Sequence, residues 1–151
     1  MARISRVTQL PGPISAAEEL WYDLNRRAGF VDGFGQVVKV EGDWPDVGGR
    51  VVWSTPAGGR GVVAEKVDWF EARTGQSLYV EDEELRGTQT VHFEPAAEGQ
   101  VRVTLAFDWE LKEGGPLKDW VFVRRRVGEA MRRTLVRYRT ERIADLDDSP
   151  L

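Results

Sequence analysis

Across residues 117 to 138 apolar side chains recur at helical spacing, and Arg124 falls near the middle of their arc, between Val121 and Val127. A guanidinium on such a face must pair with a carboxylate, reach water at the rim, or hold an anionic ligand, because a buried unpaired charge is costly. Glu65 is the candidate partner. Val63, Glu65, Val67 and Trp69 alternate along a strand-like segment, which places all four among inward residues. Asp82 and Gln89 are lesser candidates by the same parity. His92 is of the type that performs acid–base work near neutral pH, but it alternates with Thr90 and Glu94, opposite Val91 and Phe93, and reads as solvent-facing.

The remaining residue types exclude much. There is no cysteine, so thiolate nucleophiles, zinc–thiolate sites, iron–sulfur clusters and disulfides are ruled out. One histidine removes sites that need two imidazoles, and the five serines never occur as Gly-x-Ser-x-Gly. Gly48-Gly49-Arg50 and Ala57-Gly58-Gly59-Arg60-Gly61 lead into strands, not into the helix whose N-terminus would cradle a phosphate. No cofactor or metal is expected. Residues 116–146 hold nine Lys/Arg against four Asp/Glu, a local +5, while the rest of the 151-residue chain carries −9. An acidic body argues against nucleic acid, and Arg124-Arg125-Arg126 diverge by about 100° per residue, so they are expected to scatter into solvent instead of forming one surface. No apolar run is long enough to insert into a membrane, and Met1 to Arg6 leads into an alternating strand pattern instead of a signal peptide. The expected compartment is the cytoplasm.

The elements that position these residues follow from periodicity and turn chemistry. Residues 4–10 alternate as a strand, and Pro11-Gly12-Pro13 stops it. Ser15 and Glu18 have capping-box spacing, and Ala17, Leu20, Trp21 and Leu24 mark a helix over 15–27. Residues 29–35 are expected to form a short helical turn or loop that packs Phe30 and Phe34 inward. Strand-length segments follow at 36–41, 50–55, 61–71, 77–84, 88–94 and 101–111, divided by Pro45, Pro56, Thr74-Gly75, Gly87 and Pro95. Their short connections favour antiparallel pairing. After Gly114-Gly115-Pro116 a long helix runs to about Ala144. It buries Leu117, Trp120, Val121, Val127, Gly128, Met131, Leu135 and Tyr138 and turns Arg126, Arg133 and Arg137 away. The predicted organisation is one domain over 1–146 with a frayed acidic tail at 147–151.

The fold class is therefore α+β: a curved antiparallel sheet of about seven strands wrapped around a long C-terminal helix, with two short helices after the first strand. In this order the chain resembles the START-like superfamily, often called SRPBCC, which includes polyketide cyclases/dehydrases, lipid carriers and the birch-pollen allergen. The resemblance rests on the run from Pro13 to Trp21, on Val47 to Trp53, on Gly87 to Pro95 and on the closing amphipathic helix. Val101, Val103, Leu105, Phe107 and Trp109 share the concave face of the last strand, which is either packed core or the wall of a cavity.

The resemblance implies a cavity between sheet and helix that holds a small hydrophobic molecule, such as a lipid, an isoprenoid or a polyketide-like aromatic. The candidate ligand-binding residues are then Phe30, Phe34, Trp53, Glu65, Val67, Trp69, Val80 and Gln89 in the first part of the chain. Val91, Phe93, Leu105, Phe107, Trp120, Arg124, Val127 and Gly128 complete the set. Gly128 on the buried helix face marks either tight packing or space for the ligand. The alternatives are a polyketide aromatase/cyclase or dehydratase with Arg124 and Glu65 as its acid–base or orienting pair, and a co-chaperone-like module that binds another protein in a shallow groove. Trp44, Tyr79, Phe122 and Val136 are exposed candidates for self-association, consistent with a monomer or weak homodimer.

Overall fold

A computed structural model describes residues 2–113 and 116–148. Strand β1 (Ala2–Pro11) leads to α1 (Ile14–Tyr22) and a single 3₁₀ turn, Arg27–Gly29. Six strands follow: β2 (Gln36–Glu41), β3 (Arg50–Ser54), β4 (Val62–Glu71), β5 (Gly75–Glu81), β6 (Leu85–Pro95) and β7 (Gln100–Leu111). Helix α2 (Leu117–Asp147) closes the chain. All pairings are antiparallel, in the order β1-β7-β6-β5-β4-β3-β2, so only β1 reaches a non-sequential neighbour. Helix α2 lies along β1 and crosses the concave face, where Trp53, Trp109, Leu10, Val103 and Tyr138 are fully buried. Tyr138 donates its hydroxyl to the Ala17 carbonyl at 2.5 Å and meets the Trp21 ring edge-on at 5.0 Å, which ties α2 to α1.

Several local expectations are corrected. The helix expected over 15–27 stops at Tyr22, because the Asp23 amide closes on the Leu20 carbonyl and the Asp23 carboxylate accepts from the Asn25 amide at 2.9 Å. Such a side-chain turn competes with helical bonding. There is no capping box: Pro13 is the N-cap, and Glu18 instead accepts from the Arg73 amide at 2.6 Å, holding the β4–β5 turn. A bulge between Val67 and Trp69 shifts the β4 register. Val63, Glu65 and Val67 point inward as expected, but Trp69 is turned out to lie beside His92, with ring centroids 5.8 Å apart, and Phe70 takes its place against Tyr22. His92 is exposed, as its parity predicts.

The buried stripe of α2 is rotated from the expected one. Val123 is buried while Leu117 and Val121 are exposed, and the rotation carries Arg124 out of the apolar face. Trp44 is half-buried, not exposed: its indole donates to the Tyr22 carbonyl at 2.9 Å. Tyr79, Phe122 and Val136 are exposed, as expected. Gly114 and Gly115, and residues 149–151 of the expected tail, lie outside the described residues; Asp145 to Asp147 are helical.

The end of α2 is fastened to the loop after α1. Arg26 donates to both oxygens of Asp145, at 2.7 and 2.9 Å, and to Glu141 at 2.6 Å. The hydrogen bond from Arg26 holds the Asp145 carboxyl below its usual range. A depressed native value means the stabilisation is present above the unfolded-state value and is lost as pH falls through the native one. Asp145→Asn is therefore expected to cost about 0.5–1 kcal/mol at neutral pH, the scale of a well-aligned surface pair. The difference should shrink below about pH 4. Urea midpoints of both proteins across pH check this; a difference that stays constant into acid would contradict it.

Candidate functional site

Between the concave sheet face and α2 the side chains do not meet, leaving a cavity of about 450 Å³. The sheet supplies Trp53, Val80, Leu85, Gln89, Leu105 and Phe107; α2 supplies Val127, Ala130, Met131 and Thr134; Trp21 and Phe30 line it from α1 and the segment that follows. These walls are mostly apolar, of the size and character that take up small molecules. The mouth lies between the Thr55–Arg60 loop, Asp32-Gly33, and the arginines Arg126 and Arg133 of α2.

One ion pair lies inside. Arg27 is 4% exposed and donates through Nη1 to Glu65 Oε1 at 2.7 Å, and its guanidinium carbon lies 5.1 Å from the Trp44 ring centroid. The Arg27 Nε is buried with no hydrogen-bond partner. The pair is neutral as a whole but presents a strong local dipole to an apolar space, an arrangement suited to orienting a ligand's polar end. Gln89 is the other polar wall residue on the sheet.

The mouth is held by charge pairs. Arg133 forks onto Asp32 at 3.0 and 3.1 Å, Arg137 joins the same carboxylate at 3.1 Å, and the Asp32 amide donates to Thr134 Oγ1 at 3.0 Å. The hydrogen bonds to Asp32 keep Arg133 more firmly protonated than a free guanidinium. Opposite, Arg60 pairs with buried Asp82 at 2.7 Å and lies over Trp53, while Asp82 accepts the Glu84 and Leu85 amides. Arg126 pairs with Glu84. Among the described residues no group of three or more His, Asp or Glu side chains is placed to hold a metal ion.

Of the residues expected to contact a ligand, Phe30, Trp53, Glu65, Val80, Gln89, Leu105, Phe107 and Val127 line this cavity. The others do not. Phe34 packs on Trp53 at 5.0 Å, Trp120 stacks on Trp109 at 6.2 Å, and Val67, Val91 and Phe93 belong to the packed core. Trp69 faces outward. Arg124 is exposed, donating to the Arg3 carbonyl at 3.4 Å and lying over Trp120, so Glu65 meets Arg27 and not Arg124. Gly128 lies against β1 outside this cavity: a Cβ there would come within 2.8 Å of the guanidinium end of the exposed Arg6 side chain and 3.8 Å of Ile4. Arg126 and Arg133, expected to point away, stand at the mouth.

Sequence reasoning missed Arg27, Trp21, Met131 and Thr134. Trp21 and Met131 carried a signal as members of apolar helical stripes. Arg27 was hidden at the end of the helix expected over 15–27, where its direction could not be read.

No family model and no curated protein matches this sequence. Solved structures do. The Zhui aromatase/cyclase from a Streptomyces species superposes with a TM-score of 0.80 at 11% identity, covering 96% of this chain and 95% of that one. A START superfamily protein from Mycobacterium smegmatis gives 0.76 at 10% identity over 94% and 97%. Ara h 8.0201 gives 0.74 at 15% identity over 95% and 98%. The chain thus has the START-like helix-grip fold, a seven-stranded antiparallel sheet gripping a long C-terminal helix.

Proposed function

We propose that the chain binds a small, largely apolar molecule in the cavity between sheet and α2, with the ligand's polar end on Arg27, Glu65 and Gln89. The observation that carries this reading is a hollow of about 450 Å³ whose apolar walls enclose one buried ion pair. Each 100 Å² of apolar ligand surface taken from water contributes roughly 2.5 kcal/mol, against which the loss of ligand freedom must be set. Lipids, isoprenoids and flat polyketide-like aromatics have this character. An environment-sensitive apolar fluorophore is expected to bind with one-to-one stoichiometry, and native mass spectrometry of protein from its own host should show an added mass. No uptake of any apolar probe would refute the reading.

A second reading, catalysis on a bound polyketide-like chain, draws support from two observations: the likeness to the Zhui aromatase/cyclase, and the Arg27–Glu65 pair in the cavity. In it Glu65 accepts a proton from a ligand carbon acid or hydroxyl, and Arg27 stabilises the resulting oxyanion. A poly-β-keto substrate would then give a changed product distribution that Glu65→Gln returns to the spontaneous one. Unchanged products with the native protein would leave binding as the role.

A further inference from the structure

Helix α2 carries, away from the cavity, a surface that ligand binding does not use. Leu117, Val121 and Phe122 in its first two turns are 75%, 45% and 65% exposed. Beside them Arg124 and Arg125 join Arg6 of β1 and Arg132 around a shallow open groove with Gly128 in its lining. The three consecutive arginines were expected to scatter. Arg126 does turn aside to Glu84, but Arg124 and Arg125 share this groove because β1 and the next turns of α2 bring Arg6 and Arg132 to them.

The positive charge of this groove is largely unbalanced. Among the described residues no carboxylate lies within ion-pair distance of Arg6, Arg124 or Arg125; their hydrogen bonds go to the backbone carbonyls of Ser5 and Arg3, or are not made. Glu129, the one carboxylate lining the groove, is engaged by Arg132 at 2.9 Å. On the outer sheet face, by contrast, Arg3 meets Asp108 and Arg86 meets Glu110. A chain of net charge −4 thus keeps unneutralised cations beside exposed Leu117 and Val121, whereas Phe122 lines a separate groove with Glu83, Glu84, Glu113 and Asp119.

We propose that this face docks on the surface of an anionic phospholipid bilayer. Leu117 and Val121 enter the boundary between headgroups and acyl chains, and Arg6, Arg124 and Arg125 meet the lipid phosphates and carboxylates. A bilayer fits better than a folded partner, since it takes up protruding apolar side chains without a matching hole for each, while its negative surface complements the arginines. Docking is peripheral: no described helix is long and apolar enough to cross a membrane. The proposal holds whether or not the cavity contains a ligand.

The test is flotation of the whole protein with phosphatidylcholine vesicles, with and without about one quarter phosphatidylserine. Partition onto the anionic vesicles is expected to exceed that onto neutral ones by at least about tenfold and to fall as salt rises. Each arginine near the surface accounts for about fivefold, so Arg124→Ala with Arg125→Ala should weaken it by about 25-fold, whereas the Arg124→Lys, Arg125→Lys pair should bind within about twofold of wild type. Leu117→Ser should weaken it by about tenfold. Circular dichroism and urea midpoints confirm that each variant is folded. Equal binding to both vesicle types, no binding, or full binding by the alanine pair would overturn the proposal. So would a dimer that Leu117→Ser dissociates in a protein that ignores vesicles, because that outcome assigns the face to a second copy.

Discussion

Arg27→Met is expected to destabilise the protein by about 3–5 kcal/mol, the loss seen when one partner of a buried pair is removed and the other stays ionised in the interior. Arg27 and Glu65 have side-chain exposures of 5% and 6%, so water cannot replace the missing partner without entering the cavity. The penalty belongs to the stranded carboxylate. The double variant Arg27→Met, Glu65→Leu should recover to within about 1 kcal/mol of the wild type or better, since well-packed apolar residues commonly match a buried ion pair in stability. Urea denaturation of the three proteins measures these differences. A neutral single variant, or a double variant no better than the single, would show that the pair is not buried as described. The double variant also separates fold from function: a stable protein that still takes up an apolar probe, yet no longer prefers ligands with a polar end, assigns the pair to ligand orientation.

The strands could be read from the sequence because turn residues punctuate them. Thr74-Gly75 and Pro95 to Gly99 divide segments whose alternation survives in the structure, and in β7 Val101, Val103, Leu105, Phe107 and Trp109 all keep the inner side. Parity failed where the backbone gained a residue. The β4 bulge lies at Asp68, with no glycine or proline to announce it, and from that point Trp69 and Phe70 exchange faces. Leu85 apart, the cavity walls contributed by β3, by β4 before its bulge and by β5 to β7 were therefore legible. Helix phase failed for a different reason. The expected arc of α2 included Leu117 and Val121, which the sheet does not cover, and these two pulled the arc toward Arg124 and away from Val123. Arg27 was illegible because its direction depends on the turn that Asp23 makes with Asn25, a local hydrogen bond that overrides an apparently continuous helical stripe.

Ala130→Trp is expected to abolish most ligand uptake while leaving the fold intact. Ala130 lines the cavity from α2 and is half-buried, so an indole there is expected to extend into the cavity. Its helix propensity differs from that of alanine by only about 0.5 kcal/mol, and burial of the ring should offset this. The melting temperature is thus expected to stay within a few degrees of wild type. Binding should respond far more. If the ring denies a ligand about 80 Å² of apolar contact, the loss is about 2 kcal/mol, or roughly 30-fold in affinity. Val136→Trp supplies the control, because Val136 is exposed and adds the same residue to the same helix outside the cavity; that variant should bind as wild type does. Titrating an apolar fluorophore into the three proteins distinguishes the outcomes. Full uptake by Ala130→Trp would place the ligand elsewhere, and equal losses in both variants would trace the effect to the helix instead of to the space beneath it.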